Sequence, residues 1–185
     1  LKVTDYEGKP TMIGSTPIAV ANLDAFAQKY GARTPNLRDL SRPEIMRIVQ
    51  GKHYVDSRNL VARSRTDSGW PKNDSLLKTI YQLAEQNLGR VNGSFMIEGF
   101  NFVPNPNDEN GYGLTFVARP DFKVVQDERF DGKYSGQSFS EVDELGIPKF
   151  DRKGNRKWYA KNEGLSRLYL GRDLDLDSNN RDLAD

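Results

Sequence analysis

Leucines at 168, 170, 174 and 176 alternate with aspartates at 173, 175 and 177 in the segment RLYLGRDLDLDSNNRD, which runs from Arg167 to Asp182. A period of two is the mark of a strand with one apolar and one polar face. The segment therefore predicts a half-buried strand from Leu168 through Leu176, its leucines turned inward and a row of carboxylates turned to solvent. Helical spacing occurs earlier in the chain. Leu76, Leu77, Ile80, Leu83, Ala84 and Leu88 share one face of a helix capped by Asp74 or Ser75 and ended by Gly89. Leu23, Phe26, Ala27 and Tyr30 have the same spacing after Asn22, which is suited to cap a helix, and Gly31 is placed to end it. Thr34-Pro35 predicts a short helix through Leu40. Ser41-Arg42-Pro43-Glu44 has the form of a capping box, followed by a stripe of Ile45, Ile48 and Val49 that Gly51 closes.

Strand patterns fill most of the rest. Leu1–Tyr6, Thr11–Gly14 and Asn59–Ala62 are short candidates in the first half. After Asn92-Gly93 the character changes to strand and turn: Phe95–Val103, Gly113–Ala118, Phe122–Gln126, Ser138–Val142 and Pro148–Phe150. The stretch DRKGN, Asp151–Asn155, reads as a hairpin loop that returns Arg156–Ala160 against Pro148–Phe150. The pattern predicts an α+β fold, with short helices and strands of the N-terminal half packed on a mostly antiparallel, hairpin-rich C-terminal sheet. One domain over residues 1–185 accommodates this, with sub-lobes 1–92 (helix-containing) and 93–185 (β-rich) as the alternative division.

Composition narrows the chemistry. The 185 residues include no cysteine and one histidine, His53. Disulfides, thiolate catalysis and Cys-ligated zinc are excluded, and a general base falls to a carboxylate. A formal net charge of +1 draws the chain toward neither nucleic acid nor an anionic membrane. No apolar run reaches the ~18 residues of a membrane helix. What precedes Leu1 stays open.

Three groups of residues carry candidate chemistry. Asp173, Asp175 and Asp177, with Asn179 and Asp182, place alternating oxygens in the manner of a loop that wraps a hard cation such as Ca²⁺ or Mg²⁺. Ser178 stands where a calcium loop has glycine, and Ala184 where it has a bidentate glutamate. Pro120-Asp121, followed by Asp131-Gly132-Lys133, resembles the PD-(D/E)xK nuclease signature. That resemblance implies phosphodiester hydrolysis, with Asp121 and Asp131 as metal ligands and Lys133 beside them. Arg58, Arg63 and Arg65, with His53, Tyr54, Trp70 and Lys72, interleave cations with aromatics, a mixture suited to phosphate contact and base stacking.

The residues carry no Ser-His-Asp order, no Walker loop and no GxGxxG motif. The function they support is a non-enzymatic binding or interaction module for a protein or polymeric ligand, with a divalent cation at the aspartate row as a structural candidate. The alternatives are a metal-dependent, nuclease-like hydrolase using Asp121 and Asp131, and a nucleic-acid binder working through Arg58–Lys72.

Overall fold

The computed structural model describes residues 17–63, 75–107, 113–160 and 164–178. The expected strands at 1–6 and 11–14 lie outside these residues. The described elements form an α+β fold: helices α1 (Pro17–Gln28), α2 (Pro43–Val49) and α3 (Ser75–Leu88) pack on a mostly antiparallel sheet. Its strands are β1 (Val55–Arg63), β2 (Phe95–Pro104), β3 (Leu114–Gln126), β4 (Ser138–Val142), β5 (Pro148–Phe150), β6 (Arg156–Ala160), β7 (Gly164–Leu170) and β8 (Leu176–Ser178). They lie side by side in the order β3-β2-β1-β7-β8-β6-β4-β5, and β6 with β8 is a parallel pair. Strand β1 pairs with β2 on one side and β7 on the other, so the first half of the chain supplies an inner strand of the sheet.

Alternation along each strand divides the core between the two faces. Leu60 and Ala62 of β1, Phe95 and Ile97 of β2 and Leu165 of β7 meet Ala21 of α1 and Leu77, Ile80 and Ala84 of α3. Val61, Met96, Leu168, Leu170, Leu176 and Trp158 point the other way, onto Leu37, Leu40 and Val49.

Several expected elements form differently, each for a local reason. The aspartate segment is not one strand. Leu170 ends β7, the chain turns through Gly171–Asp175, and Leu176 begins β8, which pairs back antiparallel with Tyr169 opposite Asp177. Leu168, Leu170 and Leu176 are buried, but Leu174 sits in the turn with φ of 65°. A period of two survives because a hairpin of this length returns the same parity to the same face. Strand β6 does not pair with β5. Strand β4 lies between them, and the linking loop crosses β4 where Gly154 rests on the backbone of Phe139; a Cβ there would overlap that backbone. Leu114–Gln126 form one strand with a bulge opposite Gly99 instead of two strands.

Helix α1 begins at Pro17, whose fixed φ suits a first turn, and Asn22 lies within it. Its buried face is Val20, Ala21, Asp24 and Ala27, leaving Phe26 and Tyr30 exposed, because Asp24 is held inward by two arginines. The helix expected after Thr34 is absent. The Thr34 hydroxyl and amide both donate to Asp24, at 2.8 and 3.1 Å, and the chain makes only a single 3-10 turn at Asp39–Ser41. The capping box also fails: Arg42 occupies the cap position without a side-chain bond, and Ser41 Oγ is buried with no hydrogen-bond partner. No described helix is long and apolar enough to cross a membrane.

Candidate functional site

Helices α1 and α3 make their main contacts with β1, β2, β3 and β7. On the same face, beyond β7, the cross-strand register sets out a row of polar and aromatic side chains. Asp56 of β1 lies opposite Tyr169 of β7, Tyr169 opposite Asp177 of β8, and Asp177 opposite Tyr159 of β6. Adjacent strands are about 4.8 Å apart, so the row spans roughly 14 Å. Tyr54, placed just before β1, sets its ring edge-on to Tyr169 with centroids 6.0 Å apart. Tyr54, Tyr159, Tyr169 and Asp177 line an open cleft of about 510 Å³ together with His53, Lys52, Arg172, Asp173 and Asp175.

The floor of the cleft is held rigidly. The Tyr169 hydroxyl donates to Asp177 Oδ2 at 2.8 Å. The Arg167 guanidinium lies 3.8 Å over the Tyr169 ring and 5.3 Å over the Tyr54 ring, and pairs with Asp56. Such cation–π contacts stabilise most where the cation is shielded from water, as Arg167 is here. Burial pushes the Tyr169 phenol above its ordinary value, and the bond to Asp177 adds to that. Asp175 Oδ1 accepts the Lys157 backbone N–H at 2.6 Å, which fixes the turn to the start of β6.

The predicted cation row is thus distributed over a turn and a strand. Asp173 stands at the exposed turn beside Arg172 (3.9 Å), Asp175 faces the Lys157 amide and Asp177 faces Tyr169. Among the described residues no three His, Asp or Glu side chains converge as metal ligands would. Asn179 and Asp182 lie outside the described residues.

Asp121 and Asp131 are placed in different surroundings. Asp121, at the β3 bulge, binds Arg58 and accepts from Arg119 Nε at 3.1 Å. Asp131 sits between two 3-10 turns, accepts from the Ser94 hydroxyl, and has Lys133 4.0 Å away. Gly99 of β2 lies against Asp121 and Ser94, just before β2, bonds Asp131; the two are five residues apart, roughly 17 Å in a strand. The structure does not bring the two carboxylates together.

The basic group is also divided. Arg58 is buried between Asp24 (3.3 Å) and Asp121, and Arg119 reaches the same Asp24 oxygen at 2.6 Å. Arg63 is fully buried on the opposite face, donating from Nε to the Phe130 carbonyl at 2.7 Å. Neither is an outward-facing phosphate contact, because the carboxylates and carbonyls inside the fold take their donors. Arg65, Trp70 and Lys72 lie outside the described residues. Trp158 is wholly buried and packs edge-on to Phe130.

Of the sequence candidates, the cleft gathers Asp173, Asp175, Asp177, His53 and Tyr54. Tyr159 and Tyr169 were missed. Their signal, a tyrosine at the polar positions of two leucine- or tryptophan-bearing strands, becomes readable only once the β6-β8-β7 register is known. Comparison of the chain with family models, curated proteins and solved structures finds no match.

Proposed function

We propose that the chain is a non-enzymatic binding module whose ligand lies across β1, β7, β8 and β6, over the tyrosine–aspartate row. The observation that carries the reading is the register placing Asp56, Tyr169, Asp177 and Tyr159 side by side, in a row that runs from β1 and β7 onto β8 and β6, beyond the strands on which α1 and α3 make their main contacts. Tyrosine offers a flat apolar face with a polar tip, the combination found where ligands are stacked and hydrogen-bonded at once. Opposite charges are mixed around the cleft, with Lys52 and Arg172 facing Asp173, Asp175 and Asp177. A strongly charged polymer gains little from such a field. The chemistry suits a neutral, hydroxyl-rich polymer of the oligosaccharide class, whose rings stack on tyrosine and whose hydroxyls donate to carboxylates. The carboxylates here hold a phenol and an amide in place, which supports positioning over proton transfer as their task.

The test is a titration with neutral oligosaccharides, polylysine and a polyanion, followed by calorimetry and amide chemical shifts. Saturable oligosaccharide binding with shifts centred on β6–β8, lost in Tyr159→Ala, is the expected result. Binding of the polyanion alone, or shifts that avoid this face, would overturn the reading.

A further inference from the structure

On the α2 side of the sheet lies a second cavity, of about 580 Å³, walled by Met46 of α2, Val142 of β4 and Leu174 of the β7–β8 turn. Two of its lining residues keep polar atoms that the protein does not satisfy. Arg156 Nη2 is buried with no hydrogen-bond partner, and so is Ser41 Oγ. Arg156 as a whole residue is 6% exposed. Its Nε donates to the Leu174 carbonyl at 2.6 Å and one face lies 4.5 Å over the Phe139 ring. Among the described residues no carboxylate stands within 4.0 Å of it, although every other buried arginine but Arg63 has one. Asp175 acts on it favourably from beyond ion-pair reach; a buried cation without a close counter-ion is costly, and a buried donor without an acceptor adds to the cost. Arg63 resolves this with carbonyl and hydroxyl acceptors; Arg156 has only the Leu174 carbonyl.

The rim has the opposite sign. Glu141 and Asp173 line the same cavity and are exposed. A phosphate dianion drawn to Arg156 would be repelled by both. A molecule carrying a carboxylate at one end and an ammonium at the other meets a partner for each, with Met46, Val142 and Leu174 left to accept an apolar side chain. Guanidinium binds carboxylate through two parallel N–H bonds, a geometry the free end of Arg156 leaves open. We propose that this cavity binds a small zwitterion of the apolar α-amino-acid class, its carboxylate on Arg156 and the Ser41 hydroxyl and its ammonium toward Glu141 and Asp173. This site shares Asp173 with the rim of the tyrosine cleft but none of the row's tyrosines, and it does not depend on the reading of that row.

The probes are L-leucine, L-leucinamide, N-acetyl-L-leucine and inorganic phosphate, titrated into the full chain by calorimetry. L-leucine should bind, while the amide and the acetylated form should each bind at least about tenfold more weakly. Ser41→Ala and Glu141→Gln, each a small change in side-chain volume, should weaken L-leucine several-fold with unchanged far-ultraviolet circular dichroism. Arg156→Gln should abolish binding; if it fails to fold, the two milder variants decide. No binding of L-leucine, equal binding of the amide, equal binding of the acetylated form, or preference for phosphate would each overturn the assignment. Oligosaccharide binding at the tyrosine row would be unaffected by any of these variants, so the two readings fail separately.

Discussion

Tyr169 donates its hydroxyl to Asp177 at 2.8 Å, across the pairing of β7 with β8. Burial first, and this bond second, raise the phenol above its ordinary value, so the proton stays on tyrosine at neutral pH. Tyr169→Phe keeps the ring under Arg167 and removes only the bond. A single such hydrogen bond contributes about 1 kcal/mol, more to an ionised acceptor. The variant should lose about that much in urea denaturation at pH 7. A group whose folded-state pKa is raised stabilises fully below its unfolded value, near 10, and less as pH climbs past it. The gap between wild type and Tyr169→Phe should therefore narrow above about pH 10. A gap that stays constant to pH 11 would show that the phenol carries no linkage.

Acid should act through a different set of carboxyls. Burial pushes Asp121 up, but hydrogen bonds from Arg119 and Arg58 outweigh it and hold the carboxyl below its ordinary value. Asp39 is likewise raised by burial and lowered further by Arg33, and Asp127 by Arg129. The unfolded chain takes up its protons near pH 3.9, above the folded values, so stability is complete above that pH and is lost as pH falls through the folded ones. Melting temperature should be flat from pH 7 to about 4.5 and then drop. Asp121→Asn should be less stable at pH 7 and show a shallower acid limb; an acid limb as steep as that of wild type would rule out this attribution.

Gly99 should be the least replaceable glycine of the β2–β3 hairpin. Its φ is +77°, and a Cβ would overlap the backbone of Asp121 and Phe122 at the bulge. Gly93 has a comparable φ of +87° with open space around it. Left-handed backbone alone costs on the order of 1–3 kcal/mol for a residue with a side chain. Gly93→Ala should show that cost, and Gly99→Ala clearly more, because the bulge that carries Asp121 to Arg58 has to open. Equal losses in thermal or urea melts would mean the bulge yields freely.

Local rules carried the parts of the fold that local rules decide. Helix α3 was legible because its apolar face and its terminal Gly89 agree, and Gly31 and Gly51 take positive φ as their positions require. Pairing was not legible. Nothing in DRKGN says that its loop crosses β4, and nothing in the leucine–aspartate alternation distinguishes one long strand from a hairpin of matching parity. Ser41 and Thr34 have the side chains of caps, yet one is left without a partner and the other is taken by Asp24, ten residues away. The candidate site shows the same division. Its aspartates stand out in sequence, whereas Tyr159 joins them only through the parallel β6–β8 pairing and Tyr169 only through the antiparallel β7–β8 pairing.

Arg63 supports that row from the opposite face of the sheet. It is fully buried, and its guanidinium donates to the Phe130 carbonyl at 2.7 Å, to Ser166 Oγ at 3.0 Å and to both the hydroxyl and carbonyl of Ser178. Burial pushes its pKa down to about 10, so it remains charged at neutral pH. Ser178 follows Asp177, and the fork fixes the end of β8 to β1 and β7. Arg63→Met removes the desolvated charge while leaving carbonyl and hydroxyl acceptors without a donor, with a net cost of about 2 kcal/mol expected. Arg63→Lys keeps the charge but replaces a planar fork with a single ammonium that cannot span acceptors on three elements. Lysine should therefore be the more damaging of the two in urea denaturation. Both should weaken oligosaccharide binding at the tyrosine row by loosening Asp177 against Tyr169. A lysine variant more stable than the methionine one would mean that the charge, and not the fork, is what the core requires.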